Sequence, residues 1–151
     1  EAAQRGLAIL VEAINRGDAP DYFYDGVDDA AALVDEVAMP GLRLMYDAYH
    51  VGVGQGDVIR RFEALLPLIG HVQIAAVPSR GEPDEGELNY PAIFDAIEAS
   101  GYQGWVGCEY RPRGDTDAGL GWRERFGRAR FTREPTDGCG SSFGPRRAGV
   151  A

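Results

Sequence analysis

Three carboxylates and one amide mark the ends of short apolar runs. Residues 7–11 lead into Glu12, residues 42–46 into Asp47, and residues 104–108 into Glu109, while the run 71–75 carries Gln73 within it. Successive members are 35, 26 and 36 residues apart. Charged side chains are seldom buried unless they are paired or hold a metal. One acid at the end of a run carries little information, but four oxygen-bearing side chains in four separate runs suggest convergence on one site. The chemistry such a set could do is metal binding, with Glu12, Asp47, Gln73 and Glu109 as the cage. An all-oxygen donor set favours a hard or borderline divalent ion, Mg²⁺ or Mn²⁺. With only His50 and His71 available, a histidine-rich zinc site is disfavoured.

Composition narrows the options further. The 151 residues are 44% hydrophobic, enough to bury a core, and no run reads as a membrane span or signal peptide. The net charge of −9 argues against nucleic acid and anionic membrane surfaces. All 15 basic residues are arginine, which excludes lysine Schiff-base chemistry, pyridoxal phosphate enzymes and lysine-bearing phosphate loops. The two cysteines, Cys108 and Cys139, form no disulfide framework and suit a cytoplasmic location. Cys108 reads as a small core residue and Cys139 as incidental.

The elements that must position the four oxygens alternate along the chain. Residues 1–6 read as the last turn of a helix capped by Gly6, and 7–11 as the first strand. A loop at 16–25 with Tyr22, Phe23 and Tyr24 is long enough to be functional; these aromatics either wall a pocket or cover its top. A helix follows at 28–37 with Ala32, Leu33 and Val37 inward. The second strand is 42–46. A glycine-rich turn at Gly52, Gly54 and Gly56 leads to a helix that Asp57 caps, ending near residue 66. The third strand is 69–76, then a long loop at 77–89 with four acids, read as solvated apart from Glu87. A helix at 91–100 buries Ile93, Phe94 and Ile97 and stops at Gly101, and the fourth strand is 105–110. Such alternation predicts an α/β fold with a parallel sheet and its chemistry at the C-terminal strand ends. Residues 123–151 hold seven arginines against three acids and little aliphatic pattern, which predicts a disordered tail after a domain at 1–122.

The segments Tyr46-Asp47-Ala48-Tyr49-His50, His71 to Ala75, Pro78-Ser79-Arg80-Gly81-Glu82-Pro83, Gly86-Glu87-Leu88-Asn89-Tyr90 and Gly104 to Tyr110 resemble, in order and spacing, the hydroxypyruvate isomerase family. That family includes 2-oxo-tetronate isomerases and lies among the xylose-isomerase-like (β/α)₈ TIM barrels. The resemblance covers residues 1–122 and implies the last four βα units of such a barrel, without the first four strands. It implies a divalent metal held by Glu12, Asp47, Gln73 and Glu109, with Glu12 and Glu109 exchanging the substrate proton. It implies substrate contacts from His50 and Arg80. Ala13 and Ala76 depart from the family's Pro and Asp, which bears on loop geometry and substrate preference rather than on the cage.

Each residue also has a structural reading. Any of the acids alone could cap a strand, and Gln73 could be a core amide. Strand alternation places His71 on the face of Gln73, as a site contact or a satisfied core histidine. His50 could serve a loop hydrogen bond and Arg80 could be a solvated loop residue, although its fork suits a substrate carboxylate. Trp105 and Tyr110 read as packing residues. The expected activity is isomerisation of small hydroxy-oxo acids by proton transfer through an enediolate, on a small-molecule substrate and with homo-oligomerisation open. The alternatives are a sugar epimerase or isomerase of the same superfamily and an inactive half-barrel whose open edges invite pairing.

Overall fold

The apolar runs become four strands: β1 (Ile9–Glu12), β2 (Leu42–Asp47), β3 (Ile69–Ile74) and β4 (Val106–Cys108). They pair in parallel, in chain order, as one sheet. Between and after them run α1 (Val27–Val37), α2 (Ala48–Gly54), α3 (Val58–Leu65), α4 (Tyr90–Ala99) and the short α5 (Thr116–Gly119), which continues into a 3₁₀ segment, Leu120–Phe126. This computed structural model describes residues 1–126. Cys139 and nearly all of the expected tail therefore lie outside the described residues.

One face of the sheet is the core. Leu44, Tyr46, Val72 and Ile74 are at most 1% exposed and pack with Ala30, Phe62, Ile93 and Phe94 of the helices. Burying each large apolar side chain contributes about 1.5–3 kcal/mol before entropy is charged against it. Trp122 joins this core, edge-on to Tyr110 and to Phe126, and Phe126 in turn meets Phe94. Packing thus continues to Phe126, four residues beyond the boundary expected at 122.

The opposite face carries the polar set, and register explains why. Glu12 lies beside Met45, Asp47 beside Gln73, and Gln73 beside Gly107. Neighbours in register share a face, and so do residues two apart on one strand. Glu12, Asp47, Gln73 and Glu109 are therefore all on one side, at or beyond the C-terminal strand ends. A register shift makes this work: Leu44 pairs with Ile69 but Met45 pairs with His71, so Gly70 is an extra residue. Were Gly70 paired in unbroken register, Val72 would oppose Asp47, since a one-residue slip exchanges the faces of a strand. Glycine is needed there, because a Cβ at Gly70 would lie 2.7 Å from Arg43 Cβ and 2.9 Å from Leu10 Cδ2.

Several local readings need correction. The opening turn is a 3₁₀ helix, Ala3–Arg5, ended by Gly6 at φ +69°. The buried face of α1 is Val27, Ala30, Ala31 and Val34, not Ala32, Leu33 and Val37; the stripe begins one residue earlier and uses small alanines to approach the sheet. Gly52 and Gly54 lie in the helix α2, which Asp47 caps directly, and only Gly56, at φ +70°, lies beyond it. Asp57 precedes α3 at φ +52° but makes no side-chain cap hydrogen bond. Trp105 is 68% exposed and Cys108 is exposed, because β4 is an edge strand with nothing described beyond it. Phe23 projects into solvent, while Tyr24 packs on the core.

Candidate active site

Asp47 occupies the hinge between β2 and α2. Its Oδ1 accepts from the backbone N–H of Tyr49 at 2.7 Å and of His50 at 3.4 Å, which anchors the helix to the strand end. Its Oδ2 is buried and has no hydrogen-bond partner. Burial pushes the Asp47 carboxyl up to about 6, although the two backbone donors oppose the rise. On the neighbouring strand, Glu12 Oε1 is likewise buried and unpartnered. Burial first, then the charges of Asp47 and Glu109, push Glu12 up to about 7. Gln73 Oε1, on the third strand, is the third such oxygen.

Three acceptors on three adjacent strands, all shielded from water and none satisfied, form a costly arrangement. An unsatisfied buried polar group costs about 1–3 kcal/mol, and more when charged. Glu82 Oε2 is also buried without a hydrogen bond, but it has its counter-charge, with Arg113 Nε 2.9 Å away. A divalent cation is the species that would satisfy all three oxygens at once, and the donor set fits it. Glu12, Asp47 and His50 each present a ligand atom, all within 4.8 Å of one another. Glu109 follows β4, its side chain half exposed, with Oε2 3.3 Å from Arg80 Nη2. It belongs to the same constellation electrostatically but is tied to an arginine here.

Arg80 is not a solvated loop residue. It sits at φ +54°, in the left-handed region that costs a non-glycine residue energy. Its N–H donates to Ala76 O and its C=O accepts from Arg111 N–H. The guanidinium reaches Asp18 Oδ2 at 3.1 Å and lies 5.0 Å from the centroid of the Tyr49 ring. His50, on α2, is 4% exposed. Burial, then Arg80, lowers its pKa and keeps the ring neutral near pH 7. His71 shares the face of Gln73 but lies two residues deeper, its Nε2 2.7 Å from where a Cβ on Gly107 would be. Burial lowers its pKa as well.

Two groups escaped the sequence reading. Asp18, in the loop after β1, accepts from Arg80 and, through Oδ1, from Tyr49 Oη at 3.3 Å. Asn15, 1% exposed, binds both Asp18 and His50. The available signal was their placement three and six residues after Glu12, at the entry to the loop already marked by its length. Of the loop acids before Glu87, Glu82 was misread as solvated and is buried; Arg113 gathers it with the half-buried Asp84 and the exposed Glu85 at 2.7–3.0 Å, and Glu87 is exposed.

A family model described as "Xylose isomerase-like TIM barrel" matches residues 1–127. The chain belongs to the xylose isomerase-like TIM barrel family. Among curated members, a 2-oxo-tetronate isomerase of Cupriavidus necator is 49% identical over 125 residues, covering 83% of this chain and 48% of the relative. A hydroxypyruvate isomerase of Escherichia coli is 42% identical over 120 residues, covering 80% and 46%. Among solved structures, one titled AP endonuclease, family 2, from Brucella melitensis superposes with a TM-score of 0.78 at 46% identity, over 82% of this chain and 48% of that one. A 3-keto-D-glucoside 4-epimerase from E. coli gives 0.70 at 28% identity, over 82% and 45%. The chain spans about half the length of the curated relatives it matches. Its open parallel sheet corresponds to part of the family barrel.

Proposed function

We propose that this chain carries one side of the active site of a divalent-metal-dependent isomerase of small hydroxy-oxo acids. The reaction would interconvert hydroxypyruvate and tartronate semialdehyde, or isomerise a 2-oxo-tetronate. The observation that carries this reading is the trio of buried, unsatisfied oxygens on Glu12, Asp47 and Gln73, beside an arginine held over the site. With Glu109 they would hold Mg²⁺ or Mn²⁺. The bound ion would supply polarisation of the substrate carbonyl.

The remaining work falls to the chain's own groups. Moving a proton between adjacent carbons of an α-hydroxy carbonyl needs a base near one carbon and an acid near the other. Glu12 and Glu109, on opposite edges of the sheet face, fill those two roles through an enediolate. Arg80 is placed by Asp18, Glu109 and Tyr49 to meet a substrate carboxylate. His50 faces the same space and would contact a substrate oxygen. His71 lies deeper and supports the site wall. The excess of acids over basic groups favours a small-molecule substrate over nucleic acid.

A sugar epimerase is the second reading, favoured by the fold match to the 3-keto-D-glucoside 4-epimerase. Gln73, a neutral amide among the proposed ligands, speaks for the first. Turnover of hydroxypyruvate, a 2-oxo-tetronate and ketohexoses, measured with Mn²⁺ on a version spanning the relatives' full length, separates the two. Preference for a ketohexose, or activity unaffected by chelation, would overturn the proposal. The 151-residue chain by itself is expected to bind the ion but turn over little. Among the described residues its sheet face is open, and an enediolate needs protection from water.

A further inference from the structure

We infer that Asn15 is a positioning residue that fixes His50 in one tautomer, with Nδ1 bare and the proton on Nε2. The argument is one of hydrogen-bond directions. The backbone N–H of Asn15 points at His50 Nδ1, 3.3 Å away, and a backbone N–H can only donate. The Asn15 side chain contacts the same atom at 2.7 Å. Which end of that amide faces the ring is settled on its other side. Asp18 N–H donates to Asn15 Oδ1 at 3.0 Å, so that atom is the oxygen. Nδ2 is then the amide nitrogen, and it donates to Asp18 Oδ2 and to His50 Nδ1. A flipped amide would set its NH₂ against the Asp18 N–H.

Two donors therefore converge on Nδ1, the side-chain amide nearer at 2.7 Å and the backbone N–H at 3.3 Å, and together they make the atom an acceptor, with the nearer contact dominant. In a neutral ring the proton is then on Nε2. Of the charged groups around the ring, Asp18 is consistent with this and Arg80 opposes it. Asp18 Oδ2 is 3.9 Å from Nδ1, beyond hydrogen-bond reach, and is engaged by Arg80 and Asn15 instead. On the far side, Arg80 Nη2, a donor only, lies 3.4 Å from Nε2 and would favour that nitrogen bare; it has Glu109 Oε2 at 3.3 Å as its acceptor, so the contacts at Nδ1 decide the tautomer. Nε2–H is left to donate elsewhere. A ring whose Nδ1 lone pair is taken and whose Nε2 is protonated offers nothing to a cation. His50 thus stays out of the cage despite its proximity, and acts as a neutral hydrogen-bond donor. That this donor meets a substrate oxygen rests on the isomerase reading; the tautomer does not.

The chain has two histidines, so ¹⁵N-histidine labelling with two-bond N–H correlation resolves each ring, and His71→Asn assigns the pair. At neutral pH, His50 of the wild-type chain is expected to show an unprotonated Nδ1 and a protonated Nε2. In a uniformly ¹⁵N-labelled sample, a scalar coupling should be visible across the bond from the Asn15 backbone nitrogen to Nδ1. Asn15→Asp keeps the shape but replaces the donor with an acceptor, and should move the proton to Nδ1. Asn15→Ala leaves the backbone donor and should give a mixture of tautomers. A proton on Nδ1 in the wild type, or an unchanged pattern in a folded Asn15→Asp chain, would overturn the inference. Should Asn15→Asp fail to fold, the wild-type tautomer and coupling decide alone. Because none of these readouts needs turnover, a failed isomerase assay leaves the result interpretable.

Discussion

Asp47 and Gln73 stand side by side in the register of β2 and β3, and each holds one buried oxygen that nothing in the described chain satisfies. Two neighbouring acceptors without donors are a poor way to stabilise a sheet and a good way to hold a cation. If that is their purpose, Mn²⁺ should stabilise the folded chain. A ligand present at 100 times its dissociation constant adds about 2.7 kcal/mol. Thermal unfolding with and without Mn²⁺, reversed by a chelator, measures this directly. No shift at saturating metal would remove the basis for the cage.

Asp47→Asn separates the cap from the ligand. The amide oxygen can still accept from Tyr49 and His50 N–H, so α2 should keep its start and the metal-free chain should unfold no earlier than wild type. Metal affinity should fall by more than about tenfold, or about 1.4 kcal/mol, with recovery at excess Mn²⁺. Calorimetric titration gives the affinity and urea unfolding the stability. Equal losses in both would mean that Asp47 is a structural residue.

Gly70 is the residue on which that pairing depends. Gly70→Ala places a Cβ against Arg43 Cβ and Leu10 Cδ2, at separations that require the backbone to move. Overpacking of this kind costs about 1–3 kcal/mol. Because relief of the clash displaces β3 relative to β2, metal affinity should fall together with the urea midpoint. A fully stable variant with normal Mn²⁺ binding would show that the shift in register is not needed for the site.

How much of this was legible in the sequence follows from how local each signal is. A short apolar run ending on a carboxylate is a local pattern, so all four strands and the acids at their ends could be read directly. The extra residue at Gly70 could not, because pairing register is a tertiary property that no single strand records. The apolar character of Trp105 and Cys108 fits a central strand as well as an edge, and composition alone does not distinguish them. The acids at 82–85 looked solvated because their partner, Arg113, is about 30 residues away. Asn15 and Asp18 were passed over for the same reason. Their significance lies in what they contact across the site, on α2 and in the loop after β3.

The Arg113 cluster makes a prediction about pH. Burial by itself would raise the Glu82 carboxyl. Hydrogen bonds from the backbone N–H groups of Arg113 and of Glu82 itself, with the Arg113 guanidinium, outweigh burial and hold it below its ordinary value. A carboxylate depressed in the folded state contributes stability above its unfolded value, near 4.5 here, and loses that contribution as pH falls through the folded value. The urea midpoint should therefore drop as pH is lowered from about 5. Arg113→Met should flatten that dependence while lowering the midpoint at neutral pH. An identical acid slope in wild type and variant would place the pH sensitivity elsewhere.

The last prediction concerns Glu109, which is set apart from the trio by its pairing with Arg80. In a version of the protein spanning the relatives' full length, Glu109→Gln should keep most metal affinity. The amide oxygen can still coordinate, and Glu12, Asp47 and Gln73 are untouched. The amide can neither accept nor return a proton, so isomerisation should fall by about 10²–10⁴-fold, the usual contribution of a general acid–base group. The substitution also frees Arg80 from its 3.3 Å ion pair. A purely structural role for Glu109 would then appear as weaker substrate binding through a displaced Arg80, raising KM with kcat little changed. A proton-transfer role lowers kcat instead and abolishes exchange of the substrate's carbon-bound hydrogen with deuterium from solvent. Measuring kcat, KM and that exchange on one variant distinguishes the two roles, and retained exchange would exclude Glu109 from the proton path.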